Sequence, residues 1–178
     1  AMSRGYVMFL AVVSVAEAEV QEAARERIKA VELGNSYSLE TGDLVIAVGS
    51  PAGIVHSVKQ GAVSYVAGNV QTADGQTRVL YTDCGCETGK GTFFLNMSGE
   101  LVGWATELYG AEDRQGFTIA LPVSEYKGNL QKLMNGIQIP YMGLKGQDVS
   151  EAMQAEGIPK GLYITEAIAD SPAYLAGI

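Results

Sequence analysis

The sequence predicts a mainly β fold, a sandwich or a barrel, on three observations. Short apolar runs rich in Val, Ile, Leu, Phe and Tyr recur at ~10-residue spacing between positions 44 and 121, the cadence of small antiparallel β architectures. Clusters of Gly, Pro, Asn, Asp and Ser separate them. Glycine is also abundant, with 22 among 178 residues, which suits turn-rich strands better than a helix bundle.

Taken in order, residues 6–15 form the longest apolar run and read as a buried strand. At ten residues the run is shorter than the ~20 a bilayer span needs, and no basic flank or small-residue cleavage site marks it as a signal peptide. Val20, Ala23, Ala24, Arg27, Ile28 and Val31 then recur at helical spacing and predict a short surface helix over 19–30, broken by Gly34-Asn35-Ser36. Strands are expected over 44–48, 57–60, 62–66, 77–82, 91–96, 101–108 and 116–121. Turns are expected at Ser50-Pro51-Ala52-Gly53, Ala67-Gly68-Asn69, Ala73-Asp74-Gly75, Met97-Ser98-Gly99 and Gly110-Ala111-Glu112-Asp113. A helix over 123–134 closes this unit, with Ser124 as candidate N-cap and Asn135-Gly136 as its stop.

A second unit is expected over 137–178. Tyr141-Met142-Gly143-Leu144 reads as a strand, 150–156 as a helix and 161–166 as a strand. Ser171-Pro172 opens a last helix, Ser capping and Pro at the first position. At ~40 residues such a unit approaches the size below which a core is insufficient, so it reads as cut off within a domain.

Composition excludes more than it identifies. The 47% hydrophobic and 18% charged content indicates a globular chain. A net charge of −8 disfavours nucleic acid and anionic lipid, which need basic patches. Cys84 and Cys86 would alternate faces if their segment were extended, and a disulfide across one residue would be strained. They read as packing residues or free thiols. No metal and no cofactor is expected, because a two-cysteine site lacks further ligands in the sequence.

Thr82-Asp83 followed by Gly89-Lys90-Gly91-Thr92-Phe93, then Gly99 and Gly103, is similar to the active-site segment of HtrA-type trypsin-like serine proteases, T-D-A-x-x-x-x-G-N-S-G-G. Leu33-Gly34-Asn35-Ser36, Gly42-Asp43 with Gly49-Ser50-Pro51-Ala52-Gly53, Gln60-Gly61-Ala62-Val63-Ser64 and Ile119-Ala120-Leu121-Pro122 match further family motifs in the same order. The resemblance implies a trypsin-like six-stranded β-barrel, the C-terminal one of the protease domain, within 1–136. Over 137–178 it implies a truncated PDZ-like unit.

The same resemblance points to missing catalytic groups. Gly91 falls at the nucleophile position, Lys90 at the preceding asparagine and Phe9 at the aspartate position, while the histidine position lies upstream. Acyl transfer needs an oxygen nucleophile, a base and oxyanion donors, and glycine supplies no side chain. Gly89, Lys90 and Gly91 are expected to keep at most an oxyanion-like loop. His56, the sole histidine, reads as a loop residue. Thr92 lacks a positioned base, and Asp83 reads as a loop anchor. Trp104, Phe93 and Phe94 read as core. Tyr141, Met142, Gly143 and Leu144 are similar to the PDZ loop whose amides grip a peptide carboxylate.

The expected function is therefore that of an inactive, polypeptide-binding or regulatory protease homologue. The alternatives are an active endopeptidase with its catalytic set elsewhere, and an interaction module acting through its PDZ-like unit. The resemblance implies polypeptide partners, a homo-oligomer or a related protease, and an extracytoplasmic or membrane-associated parent.

Overall fold

The computed structural model describes residues 12–13, 15–72, 75–86, 91–106 and 116–178. The expected strand over 6–15, the turn at 110–113 and positions 73–74 of the Ala73-Asp74-Gly75 turn lie wholly or mostly outside these.

Strands β1 (Leu44–Gly49), β2 (Ser57–Thr72), β3 (Gly75–Thr82), β4 (Thr92–Leu95), β5 (Leu101–Ala105) and β6 (Thr118–Pro122) close into one antiparallel barrel, in the order β1-β2-β3-β6-β5-β4. Its two cores follow from the period of two along each strand. Leu80 of β3 and Ala120 of β6 point into the barrel with Val45, Ala47, Val63, Phe94 and Val102. Their neighbours Val79, Tyr81, Ile119 and Leu121 point out, into a second cluster with Trp104, Val123 and Tyr126. Helix α2 (Val123–Met134) caps that outer cluster, with the Trp104 and Tyr126 rings 5.3 Å apart and tilted by 55°. Each large side chain so buried contributes about 1.5–3 kcal/mol.

Several elements depart from the sequence expectation. The strands expected over 57–60 and 62–66 are one sixteen-residue strand, β2, which runs on through Ala67-Gly68-Asn69. Register shifts between Val63 and Tyr65 and between Ala67 and Val70 absorb its irregularity, so the glycines mark bends in the strand and not its ends. The helix expected over 19–30 shrinks to a 3-10 turn, Glu17–Glu19, and α1 (Glu22–Arg25). No residue of either is buried, and a helix without tertiary packing is marginal at this length. Phe93, expected in the core, is 39% exposed, because it alternates with the buried Phe94.

Helix α2 has its expected bounds but not its expected cap. Pro122 is the N-cap residue and offers no side-chain bond. The acceptor comes from 88 residues away: Ser36 Oγ accepts from the Ser124 amide at 2.9 Å, while Ser124 Oγ accepts from the Ser36 amide at 2.9 Å. The segment before β1 is thereby strapped across the barrel. Gly34 N donates to Leu101 O at 2.9 Å, and Arg78 donates to the carbonyls of Tyr37 and Leu39.

Beyond α2, strands β7 (Leu144–Asp148) and β8 (Leu162–Ala167) form a two-stranded antiparallel sheet, with α3 (Glu151–Ala155) between them and α4 (Pro172–Leu175) after them. Ser150 and Ser171 cap the two helices as expected, through Met153 N and Tyr174 N. Strand β7 begins only at Leu144. Tyr141, Met142 and Gly143 are irregular, and Gly143 lies at φ 79°, outside extended backbone. No helix among the described residues is long and apolar enough to cross a membrane.

Candidate functional site

The candidate site lies where β3 ends and β4 begins. Asp83 fixes the outgoing chain: its Oδ1 accepts from Ala62 N at 2.6 Å, and its own amide donates to Ala62 O at 3.1 Å. The contact depends on Gly61, since a Cβ there would stand 2.5 Å from Asp83 Oδ1 and 2.6 Å from Cys84 Sγ. Asp83 is thus an anchor, as its place after Thr82 suggested. Cys86 is pinned in turn, its amide donating to Thr118 Oγ1 at 2.6 Å. Burial pushes the Cys84 thiol above its usual value of 9.0. Cys86 and Asp83 add to the rise, while the Thr82 hydrogen bond and the Lys59 charge oppose it.

Phe9, Gly89 and Lys90 lie outside the described residues; Gly91 lies within them. It sits at φ 69°, left-handed backbone that side chains rarely adopt, and a Cβ placed on it would meet open space. Its carbonyl oxygen occupies the space that a Cβ on Gly49 would need. Thr92, next in line, is 1% exposed, and its hydroxyl has no hydrogen-bond partner among the described residues. An activated nucleophile needs a base within hydrogen-bond reach.

Strand register reveals a neighbour that the sequence concealed. Ser57 of β2 and Thr92 of β4 both pair with Gly49, one on each side of β1. Two strand spacings separate them by about 10 Å. His56 and Gly91 each precede one of these residues, so both lie on the same rim of the barrel. His56 is exposed, sits at φ 64°, and has no hydrogen bond orienting its ring among the described residues. A general base needs a nucleophile within about 3 Å and a partner that holds its tautomer. Among the described residues no group orients the His56 ring.

In the second unit, the carbonyls around Gly143 are engaged. Met142 O accepts from Ala173 N at 3.0 Å, and Gly143 O accepts from Ile168 N at 2.8 Å and from Ser171 Oγ at 3.3 Å. The amides of Met142 and Gly143 donate to no group among the described residues. Two adjacent free amides followed by a strand with one open edge form an arrangement that can receive a carboxylate.

Comparison with known proteins gives a consistent picture. No family model matches the chain. The serine protease Do-like HtrA of Bacillus subtilis (strain 168) is 34% identical over 169 residues, covering 84% of this chain and 38% of that protein. The serine endoprotease DegS of Haemophilus influenzae is 28% identical over 160 residues, 86% of this chain and 45% of that protein. The periplasmic serine endoprotease DegP of Escherichia coli (strain K12) is 24% identical over 161 residues, 86% of this chain and 34% of that protein. The chain thus spans less than half the length of these relatives. The solved structure of the HtrA-type protease AlgW with decapeptide shares the fold, at a TM-score of 0.58 and 23% identity over 83% of this chain and 48% of that one.

Proposed function

Taking this chain as a homologue of the HtrA-type serine proteases built on a trypsin-like barrel, we propose that it engages polypeptide without cutting it. The observation that carries the reading is Gly91. The position aligned with the family's serine has no side chain and holds a backbone conformation that disfavours one. Loss of one triad member leaves only the residual catalysis that binding and an oxyanion hole supply. Among the described residues His56 has no orienting partner, and Thr92 Oγ1 is buried, which supports reading neither as a substitute nucleophile or base.

Polypeptide engagement rests on the second unit, which we read as the opening part of a PDZ-like module over 137–178. Its free amides at Met142 and Gly143 would hold a C-terminal carboxylate, and the open edge of β7 would accept the peptide as an added strand. Leu144 would begin that pairing, and Tyr141 would flank it. The similar AlgW was solved with a decapeptide, which supports a polypeptide as the ligand class. The test is incubation with casein under conditions in which an active HtrA-type protease degrades it. Intact casein is expected; cleavage that survives removal of contaminating proteases would overturn the proposal.

A further inference from the structure

We infer that Ser171 positions the carboxylate-receiving amides of the second unit, a role that rests on the peptide binding proposed for that unit and refines it.

A trans peptide unit carries its carbonyl and its amide on opposite sides. Whatever holds a carbonyl therefore also aims the amide of the next residue. The carbonyls around Gly143 are held by one short stretch, 168–173. Met142 O accepts from Ala173 N at 3.0 Å, which turns the Gly143 amide away from α4. Gly143 O accepts from Ile168 N at 2.8 Å and from Ser171 Oγ at 3.3 Å. Those bonds turn the Leu144 amide away from β8, toward the open edge of β7.

Ser171 supplies the side chain in this arrangement. It is 3% exposed, and its Oγ serves two partners: it donates to Gly143 O and accepts from Tyr174 N at 3.2 Å, capping α4. The loop and the helix thus share one hydroxyl. Their fit is close. Gly143 lies at φ 79°, and a Cβ on it would overlap the Ser171 Cβ and stand 3.2 Å from Tyr141 Cε1. Glycine is required there both by the backbone and by the approach of Ser171. Ser150 shows what a cap alone looks like. It accepts from Met153 N at 3.3 Å at the start of α3, is exposed, and makes no bond to residues 141–143 among the described residues.

The test uses a decapeptide ending in valine, labelled at its N-terminus with fluorescein and prepared both as the free acid and as the C-terminal amide. Fluorescence anisotropy gives the affinity of this chain for each. The free acid is expected to bind the parent more tightly. Ser171→Ala and Ser171→Gly should each reduce that acid-to-amide ratio about fivefold, the share of one ordinary hydrogen bond. Glycine serves at an N-cap nearly as well as serine, so Ser171→Gly removes the bond to Gly143 O with α4 still capped, and it decides the matter even if Ser171→Ala fails to fold. Ser150→Ala, which removes a cap of the same kind from α3, should leave the ratio unchanged. A parent chain that does not distinguish the two peptides would overturn the peptide reading and this inference with it. A parent that does, with the ratio kept in Ser171→Gly or equally reduced in Ser150→Ala, would overturn the inference alone.

Discussion

One added methyl group at Gly61 should loosen the joint on which the candidate site hangs. A Cβ there would stand 2.5 Å from Asp83 Oδ1, 2.6 Å from Cys84 Sγ and 3.0 Å from Cys84 N. None of these atoms can swing away freely. Asp83 Oδ1 is held on Ala62 N at 2.6 Å, Cys84 is 0% exposed, and the third atom is backbone. Gly61→Ala must therefore break the Asp83–Ala62 bond, strain the core, or both. A hydrogen bond to a charged group contributes about 1.5–3 kcal/mol, and Asp83 is exposed, so the lower figure applies. Overpacking adds about 1–3 kcal/mol. The smaller entropy of an unfolded alanine returns roughly 0.4–1 kcal/mol. The net loss is about 2–4 kcal/mol, a fall in Tm on the order of 5–15 °C for a chain of this size. Urea unfolding followed by the fluorescence of the single Trp104 reads it directly, because that residue is buried between α2 and the barrel. Asp83→Ala should show a smaller loss. The double variant should lose less than the sum, since both changes remove one shared bond. An unchanged midpoint for Gly61→Ala, or strict additivity with Asp83→Ala, would refute the reasoning.

Three further outcomes are expected. The Cys84 thiol is held protonated by burial, so the folded chain keeps its proton to higher pH than the unfolded chain. That contribution is complete below about pH 9 and is lost as pH rises above it. Urea midpoints at alkaline pH should fall less steeply for Cys84→Ala than for the parent, and an identical slope would contradict this. Ser36→Ala should cost about 1–3 kcal/mol in urea unfolding, because the Ser124 amide in the first turn of α2 loses its only cap. Titration of this chain with free C-terminal peptides should show saturable binding that amidation of the peptide C-terminus weakens, because the Met142 and Gly143 amides would receive the carboxylate; no binding, or equal binding of the amidated peptide, would contradict the peptide reading.

The barrel was legible because its signals are local. Alternation in β3 and β6 sets which residues enter which core, and the run from Val123 to Asn135-Gly136 carries both the face and the stop of α2. What the sequence concealed depends on partners far along the chain. Ser124 looked like a cap, yet the acceptor is Ser36, which nothing near Ser124 reveals. The periodicity over 19–30 promised a helix, but none of the residues in its two short helical pieces is buried. Gly61 and Gly68 looked like strand ends, and only pairing with β3 keeps β2 continuous. At the site, the anchoring of Asp83 could be read from motif order. The shared rim of His56 and Gly91 could not, because it follows from the pairing of three strands around Gly49. Lys59 was missed for the same reason, since its partner Gly85 lies across β2 and β3 and no spacing signals it.

The proposed lack of peptidase activity rests on Gly91, which the family resemblance places at the nucleophile position. Labelling with a serine-reactive fluorophosphonate probe, read by intact mass and run beside Gly91→Ser, tests it most directly. The parent chain is expected to remain unlabelled. Gly91→Ser is expected to remain unlabelled too, because its side chain would sit on left-handed backbone with no base oriented toward it. Stoichiometric labelling of the parent chain would contradict the account outright.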